Sequence, residues 1–302
     1  RLGSVGFVPV FIGASLLYLA GQKTPLHTYL PLFAGGLLVF VLGLLDDLYE
    51  LPPRYKLLGQ CIASLIPLVC GVYLTRIGPL EVGFMGRIIT FCWLIGMSNA
   101  FNLIDGVDAL CGSLSLSVCL TLGLVFQVNG DSFDGGMGFI LGGCIVGFLV
   151  YNKPKARIFM GDGGSQFLGF MIGVLPLLKS SEALNFNLFP LVVLVSSIPL
   201  LDTVAAIWRR TREGRSFFTP DKRHLHHKLM EMGYTTKSIL VLLVTIQVGL
   251  CGISLWAVLR VGSLGGFIVI CGGLGVMILF FGIMHYTSHA VSRVKTKESP
   301  GT

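Results

Sequence analysis

The run VLGLLDDLYE is apolar until it stops on two adjacent carboxylates, Asp46 and Asp47. Negative charge at a helix C-terminus opposes the macrodipole, so such a pair needs a compensating purpose unless it is only a solvated end with Arg54 and Lys56 as loose partners. Farther on, SNAFNLIDGVDAL carries Asn99, Asn102, Asp105 and Asp108. Read as helix, the spacing of three puts like groups on one face, while Gly106 marks a break. Caps and turns need fewer polar groups than two amides and two carboxylates, so this stretch is read as a polar ligand site. In YNKPKARIFMGDGGSQF, Asn152 and three basic residues precede Asp162, set among glycines, with Ser165 read as an N-cap. Glycine-rich backbone at a helix start can offer N–H groups to phosphate, and a lone carboxylate there suits a bridging Mg²⁺, which takes few protein ligands. The competing reading is an ordinary turn. In RRTREGRSFFTPDKRHLHHKLMEMGY, Thr219 and Pro220 read as N-cap and N1 and Gly233 as C′, predicting a helix over 220–232. On it His224 and His227 share a face, with His226 to one side. Beside Lys222, Arg223 and Lys228 they make an anion-binding surface better than a zinc site, because no HExxH or paired-cysteine pattern is present.

Positioning these groups falls to apolar segments. The chain has 302 residues, 53% hydrophobic and 12% charged, with a mean hydropathy of +0.81, whereas soluble domains carry about a quarter charged residues. This predicts an all-α, polytopic membrane bundle, a single domain over 1–302. The apolar runs give ten spans, at 5–20, 29–45, 57–75, 84–101, 110–128, 136–151, 165–178, 187–207, 238–259 and 264–286. Those at 136–151 and 165–178 are short enough to be half-embedded or strongly packed. Asp202, inside the eighth, pairs with a neighbouring helix or joins the pocket. With Arg1 cytoplasmic, loops at about 46–56, 100–109, 152–164 and 208–237 and the tail 287–302 share that side. Seventeen of the 22 lysines and arginines go with them, leaving Lys23, Arg76, Arg87, Lys179 and Arg260 opposite. The net charge of +7 then reads as a cytoplasmic fringe for anionic lipid or substrate, not a nucleic-acid surface. Eight scattered cysteines without a CxxC pair read as apolar packers. The start on RLGS leaves room for a segment upstream.

Taken in order, DDLYELPPRYKLLGQ, NAFNLIDGVDAL, NKPKARIFMGDGGS and PDKRHLHHKL closely resemble the motifs of the polyprenyl-phosphate N-acetylhexosamine-1-phosphate transferases, integral membrane enzymes of glycosyltransferase 4 type. The resemblance spans essentially the whole chain. It implies an eleventh, N-terminal span, a bacterial inner (cytoplasmic) membrane location, a homodimer, and Mg²⁺ with Mn²⁺ as a substitute. It also implies a UDP-sugar and a polyprenyl (undecaprenyl) phosphate as substrates. The HLHH form after RRTREGRSFFTPD resembles the branch that uses UDP-N-acetylglucosamine for enterobacterial common antigen, O-antigen or teichoic acid linkage units. Position by position, Asp162 resembles the Mg²⁺ ligand and Asn102 a second group near the metal. Asp46 and Asp47 resemble the acidic pair near the lipid phosphate. Asp105, Gly106, Val107 and Asp108, with Asn152 and Phe159, correspond to the uridine and diphosphate region, with Phe159 able to stack on uracil. His224, His226 and His227 resemble the sugar-phosphate motif. The catalytic set so implied is Asp46, Asp47, Asp162 and His224.

In such a reaction a lipid phosphate attacks the β-phosphorus of an anionic UDP-sugar, so charge repulsion dominates and a metal plus cations supply the stabilisation. A phosphate monoester has its second pKa at about 6, so Asp46 and Asp47 are expected to position groups more than to accept a proton. A transporter would place its polar breaks at mid-membrane, usually with an inverted repeat, and neither is seen. A phosphatidyl-alcohol transferase would need DGxxAR, where Leu110 stands in place of the arginine and no DxxxD follows. Within the family, the rivals are another UDP-hexosamine and phospho-N-acetylmuramoyl-pentapeptide, whose transferases end in three consecutive histidines.

Overall fold

The computed structural model describes residues 2–178, 182–215 and 224–298, with side chains at all of these but 182–187, 285 and 288–298. Arg223, Lys222, Thr219 and Pro220 therefore lie outside the described residues. In lipid every backbone polar group must be satisfied within its own segment, so long uncharged runs become helices. They are α1 (Ser4–Gly21), α2 (Leu30–Tyr49), α3 (Pro53–Val69), α4 (Met85–Ile104), α5 (Leu110–Val128) and α6 (Ser132–Asn152), followed by α7 (Gly161–Val174), α8 (Glu182–Val195), α9 (Ser197–Arg212), α10 (Leu225–Glu231), α11 (Thr236–Arg260) and α12 (Ser263–Glu298). A two-stranded antiparallel hairpin, β1 (Arg76–Ile77) and β2 (Leu80–Glu81), joins α3 to α4.

Among the described residues seven helices are long and apolar enough to cross a membrane: α1, α2, α4, α5, α6, α11 and the first part of α12, Ser263–Met284. An eighth results if α8 and α9, bent by 73° at a short break, count as one. That is fewer than the ten expected, and the differences have physical causes. The run at 136–151 belongs to a full 21-residue helix. By contrast α7 has 14 residues, about 21 Å at about 1.5 Å per residue against a hydrocarbon core of about 30 Å. It need not match the bilayer, because every residue from Gly163 to Val174 is buried by protein.

Packing around α7 explains how so short a polar-headed helix is held. Phe7 and Phe11 of α1 and Phe40 of α2 set their rings edge-on to Phe167, with centroids 5.9–6.5 Å away. Gly43 lets α2 touch α7 backbone to backbone, since a Cβ there would stand 2.5 Å from Gly163 Cα. The bundle alternates in direction, so α2, α4 and α6 end where α3, α5 and α7 begin. At the opposite end, buried Tyr29 donates its hydroxyl to Asp134 Oδ1 at 2.7 Å, tying the entry to α2 to the first turn of α6.

Candidate functional site at one end of the bundle

The C-terminus of α2 meets the N-terminus of α7. Asp47 accepts the backbone N–H groups of Asp162 at 3.0 Å and Gly163 at 3.1 Å. A carboxylate that opposes the dipole of its own helix thus favours that of another, and it caps a helix that lacks a side-chain cap from its own N-cap residue. Two expectations are corrected here. Ser165 is not an N-cap: it lies one turn inside α7, donating to the Gly161 carbonyl at 2.9 Å and accepting from Asn102 Nδ2 at 3.1 Å. Nor are the amides of Asp162 and Gly163 open to phosphate, because Asp47 occupies them.

Asp46 turns the other way. It is buried, it accepts the Leu51 N–H at 2.8 Å, and it forms an ion pair with Lys56. The same ammonium donates to Asp162 Oδ2 at 2.7 Å, so Lys56 of α3 bridges the acidic pair of α2 to the acid of α7. Burial alone would lower the Lys56 pKa, but the Asp162 and Asp46 carboxylates outweigh it and hold the group above its ordinary value. Burial would likewise raise Asp162. Hydrogen bonds with Asp46 and Lys56, the Lys56 charge and the Asn102 amide together hold it below.

A cavity of about 680 Å³ opens beside this cluster, lined by Asp47, Asp105, Gly106, Val107, Asp108, Asn152, Phe159, Met160, Gly161 and Asp162. Eight of these ten were singled out from the sequence; Met160 and Gly161 were missed. Because α4 ends at Ile104, Asp105 and Asp108 sit in a turn and not on a helical face. Asp108 accepts the Ala156 N–H at 3.1 Å. Asn152, 4% exposed, accepts the Ala109 N–H at 2.9 Å and donates to the Ile158 carbonyl at 2.8 Å, so its amide joins two walls of the cavity. Phe159 is 53% exposed. Asp105 is pushed well above the carboxylate range by burial and then by the like charges of Asp162, Asp47 and Asp108.

Asn99 is not part of the lining. Its Nδ2 donates to Gln60 Oε1 and to the Ile95 carbonyl, both at 2.8 Å, and Gln60 in turn donates to Gln166 Oε1 at 2.9 Å. Gln60 and Gln166, both buried, were also missed. Each looks like any amide in an apolar run, and only the contact of α3, α4 and α7 gives it a partner.

The donor chemistry fits a hard divalent cation. Four carboxylates and no lysine or arginine line the cavity among the described residues, and no group of three His, Cys, Asp or Glu side chains forms a closed metal cage there. An open set of oxygens suits Mg²⁺, which keeps water or phosphate oxygens in most of its positions. Asp162 has the Asn102 amide within hydrogen-bonding reach.

The histidines approach from behind the cavity wall. His224 is extended, with φ −68° and ψ 162°, and α10 begins only at Leu225, so His224 and His227 do not share a helical face as expected. Instead the His226 ring lies between them, 6.1 Å from His224 and 4.2 Å from His227. His226 packs where Gly106 lacks a side chain: a Cβ there would stand 2.6 Å from its Cε1 and Nε2. Burial, then the neighbouring His227, push His226 down to about 4, so it is neutral at pH 7. Asp202 faces this motif and not the cavity, accepting the Leu225 N–H at 2.9 Å and meeting His224 Nδ1 at 3.1 Å.

Fold and site together define a polytopic helical membrane protein with an acidic cavity at one end of the bundle. Glycosyl transferase family 4 matches residues 29–180, which include the whole of α2 through α7. An undecaprenyl-phosphate alpha-N-acetylglucosaminyl 1-phosphate transferase of Yersinia pestis is 32% identical over 251 residues, 79% of this chain and 68% of that protein. The protein of that name in Escherichia coli K12 is 30% identical over the same shares. A decaprenyl-phosphate N-acetylglucosaminephosphotransferase of Mycolicibacterium smegmatis is 33% identical over 283 residues, 82% of this chain and 69% of that one. The chain belongs to glycosyl transferase family 4, and it is a membrane enzyme.

Proposed function

We propose that the protein transfers N-acetylglucosamine-1-phosphate from UDP-N-acetylglucosamine to undecaprenyl phosphate, releasing UMP, as the first membrane step of a cell-envelope polysaccharide. The observation that carries this reading is the meeting of Asp47, Asp105, Asp108, Phe159 and Asp162 in one cavity, in a chain whose relatives are named for transfer to undecaprenyl or decaprenyl phosphate. An oxygen of the lipid phosphate attacks the β-phosphorus of the nucleotide sugar. The bond to the oxygen shared with the α-phosphorus breaks, and UMP leaves with that oxygen. One phosphoanhydride forms as another is lost, so the reaction is reversible.

Asp162 would hold Mg²⁺, or Mn²⁺ in its place, with Asn102 beside it. Held there, the ion would supply neutralisation of the diphosphate charge, which an acidic cavity otherwise repels. Lys56 holds Asp162 and Asp46 in register beside the cavity. Asp47 fixes the first turn of α7, and with it the direction of Asp162. The attacking phosphate is already ionised near neutral pH, so neither Asp46 nor Asp47 needs to take a proton. The open ring of Phe159 stacks on uracil, and the histidine motif serves the sugar phosphate through half-buried His227 with Arg223, while buried His224 and His226 back the wall at Gly106. In this reading the site faces the cytoplasm from the bacterial inner membrane, and the surplus of lysine and arginine in the loops at the site end supports that orientation.

The test is UMP release by the detergent-purified protein with undecaprenyl phosphate, Mg²⁺ and a panel of UDP-sugars. Turnover of UDP-N-acetylglucosamine should stop on chelation, return with Mg²⁺, and fall by about 100-fold or more in Asp162→Asn. Turnover only of UDP-N-acetylmuramoyl-pentapeptide or another UDP-hexosamine would refute the assigned sugar.

A further inference from the structure

We propose that Asp202 is the positioning residue of the histidine motif: it orients the His224 ring, anchors the start of α10 and, through His226, supports the cavity wall at Gly106. The proposal rests on the preceding reading of the cavity as a sugar-phosphate site. Asp202 lies on α9, beyond the 73° bend, and is 3% exposed. Both of its oxygens are engaged, Oδ1 by the Leu225 N–H and Oδ2 by His224 Nδ1, and these contacts cross 22 and 23 residues of chain. His224 occupies the N-cap of α10 but makes no side-chain cap, so the carboxylate of another helix supplies the acceptor. A seven-residue helix does not hold its own shape in isolation. The anchoring by Asp202, with Leu225 and Leu229 buried in the core, fixes where α10 lies.

The chemical consequence concerns one proton. An ionised carboxylate only accepts hydrogen bonds, so His224 carries its proton on Nδ1 and leaves Nε2 as the acceptor nitrogen. The His226 ring runs nearly parallel to that of His224, with 10° between planes, and its edge fills the space left by Gly106. Loss of the carboxylate would free both the tautomer and the seat of α10. A merely space-filling acid would leave the tautomer of His224 unchanged when replaced by its isosteric amide.

The decisive experiment is ¹⁵N spectroscopy of histidine-labelled full-length protein in detergent at pH 8, with the His224 signal assigned by its loss in His224→Gln. Wild type should show the Nδ1–H form of His224, and Asp202→Asn should shift the population toward Nε2–H. A wild-type His224 found as Nε2–H would overturn the proposal whether or not the variant folds, and so would an unchanged tautomer in Asp202→Asn. A second readout is turnover. Asp202→Asn and His224→Gln should each slow transfer by about tenfold or more, with the double variant no slower than His224→Gln alone, whereas losses that multiply would show that Asp202 does not act through His224. The spectroscopic result needs no substrate, so failure of the UDP-N-acetylglucosamine assignment is distinguishable from failure of the tautomer assignment.

Discussion

Asp47 shows how a residue can break a local rule and satisfy a distant one. Its position at the end of α2 is unfavourable by itself, which made the acidic pair visible in the sequence; its contact with the first turn of α7 lies 115 and 116 residues away and could not be read there. The capping role has a measurable signature. Asp47→Ala should cost about 1–2 kcal/mol of stability, and Asp47→Asn, still a good cap, distinctly less. Thermal unfolding in detergent measures both. Recovery of Asp47→Asn activity on going from pH 6 to pH 8.5 would instead mark Asp47 as a proton acceptor. Lys56 was legible only as a loose partner of the aspartates, because its bond to Asp162 crosses 106 residues. His226 gives a pH prediction with a definite sign. Its folded pKa, about 4, lies below the unfolded value of about 6.5, so the unfolded state binds more protons between those values. Stability should therefore fall as pH drops from about 6.5 to about 4, by an amount that His226→Gln removes. An identical slope in that variant would assign the loss to other groups.

Hydropathy read the long helices well but left α7 open between half-embedded and strongly packed, for a physical reason. A periodicity or apolar count registers what a helix contains, not whether lipid or protein surrounds it, and α7 is encased by its neighbours. Its glycine-rich start looked like a loop because Gly43, the residue that lets α2 come close, is remote in sequence. Gly43→Ala should drive α2 and α7 apart, lowering stability by about 1–3 kcal/mol as an overpacking substitution and reducing turnover through Asp47 and Asp162. A fully stable, fully active variant would show that the close approach is not required. The cavity wall offers a suppressor test. Gly106→Ala must displace the His226 ring and should lose activity, and adding His226→Ala, which clears the space, should recover part of it. A double variant worse than either single would contradict the packing of α10 against the Asp105–Asp108 turn. That contact was not legible in the sequence, because two His-motif residues appeared to share a helical face that begins only after His224.

In the whole molecule three of the polar stretches meet at one cavity, with Asp47 from the end of α2, Asp105 and Asp108 from the turn after α4, and Asn152 and Asp162 from the end of α6 and the start of α7. What the sequence could not supply was the burial of His224 and His226, the latter packed against Gly106 in the cavity wall, while His227 stays half-buried. The proposed topology puts the site end in the cytoplasm, as the charge bias of the sequence leads one to expect. After replacement of the exposed Cys70, Cys92 and Cys271, a membrane-impermeant thiol reagent added to intact cells should label Leu80→Cys in the hairpin and spare Tyr234→Cys at the site end. The reverse pattern would invert the topology. The central claim is that a phosphoryl group and its sugar move together onto a lipid phosphate. It is tested most directly with UDP-N-acetylglucosamine carrying ³²P at the β-phosphorus, undecaprenyl phosphate and Mg²⁺. The label should pass into the lipid as unlabelled UMP appears, and Asp162→Asn should prevent both. Label retained in UDP would mean sugar transfer without its phosphate, and label retained in intact UDP-N-acetylglucosamine would contradict the account altogether.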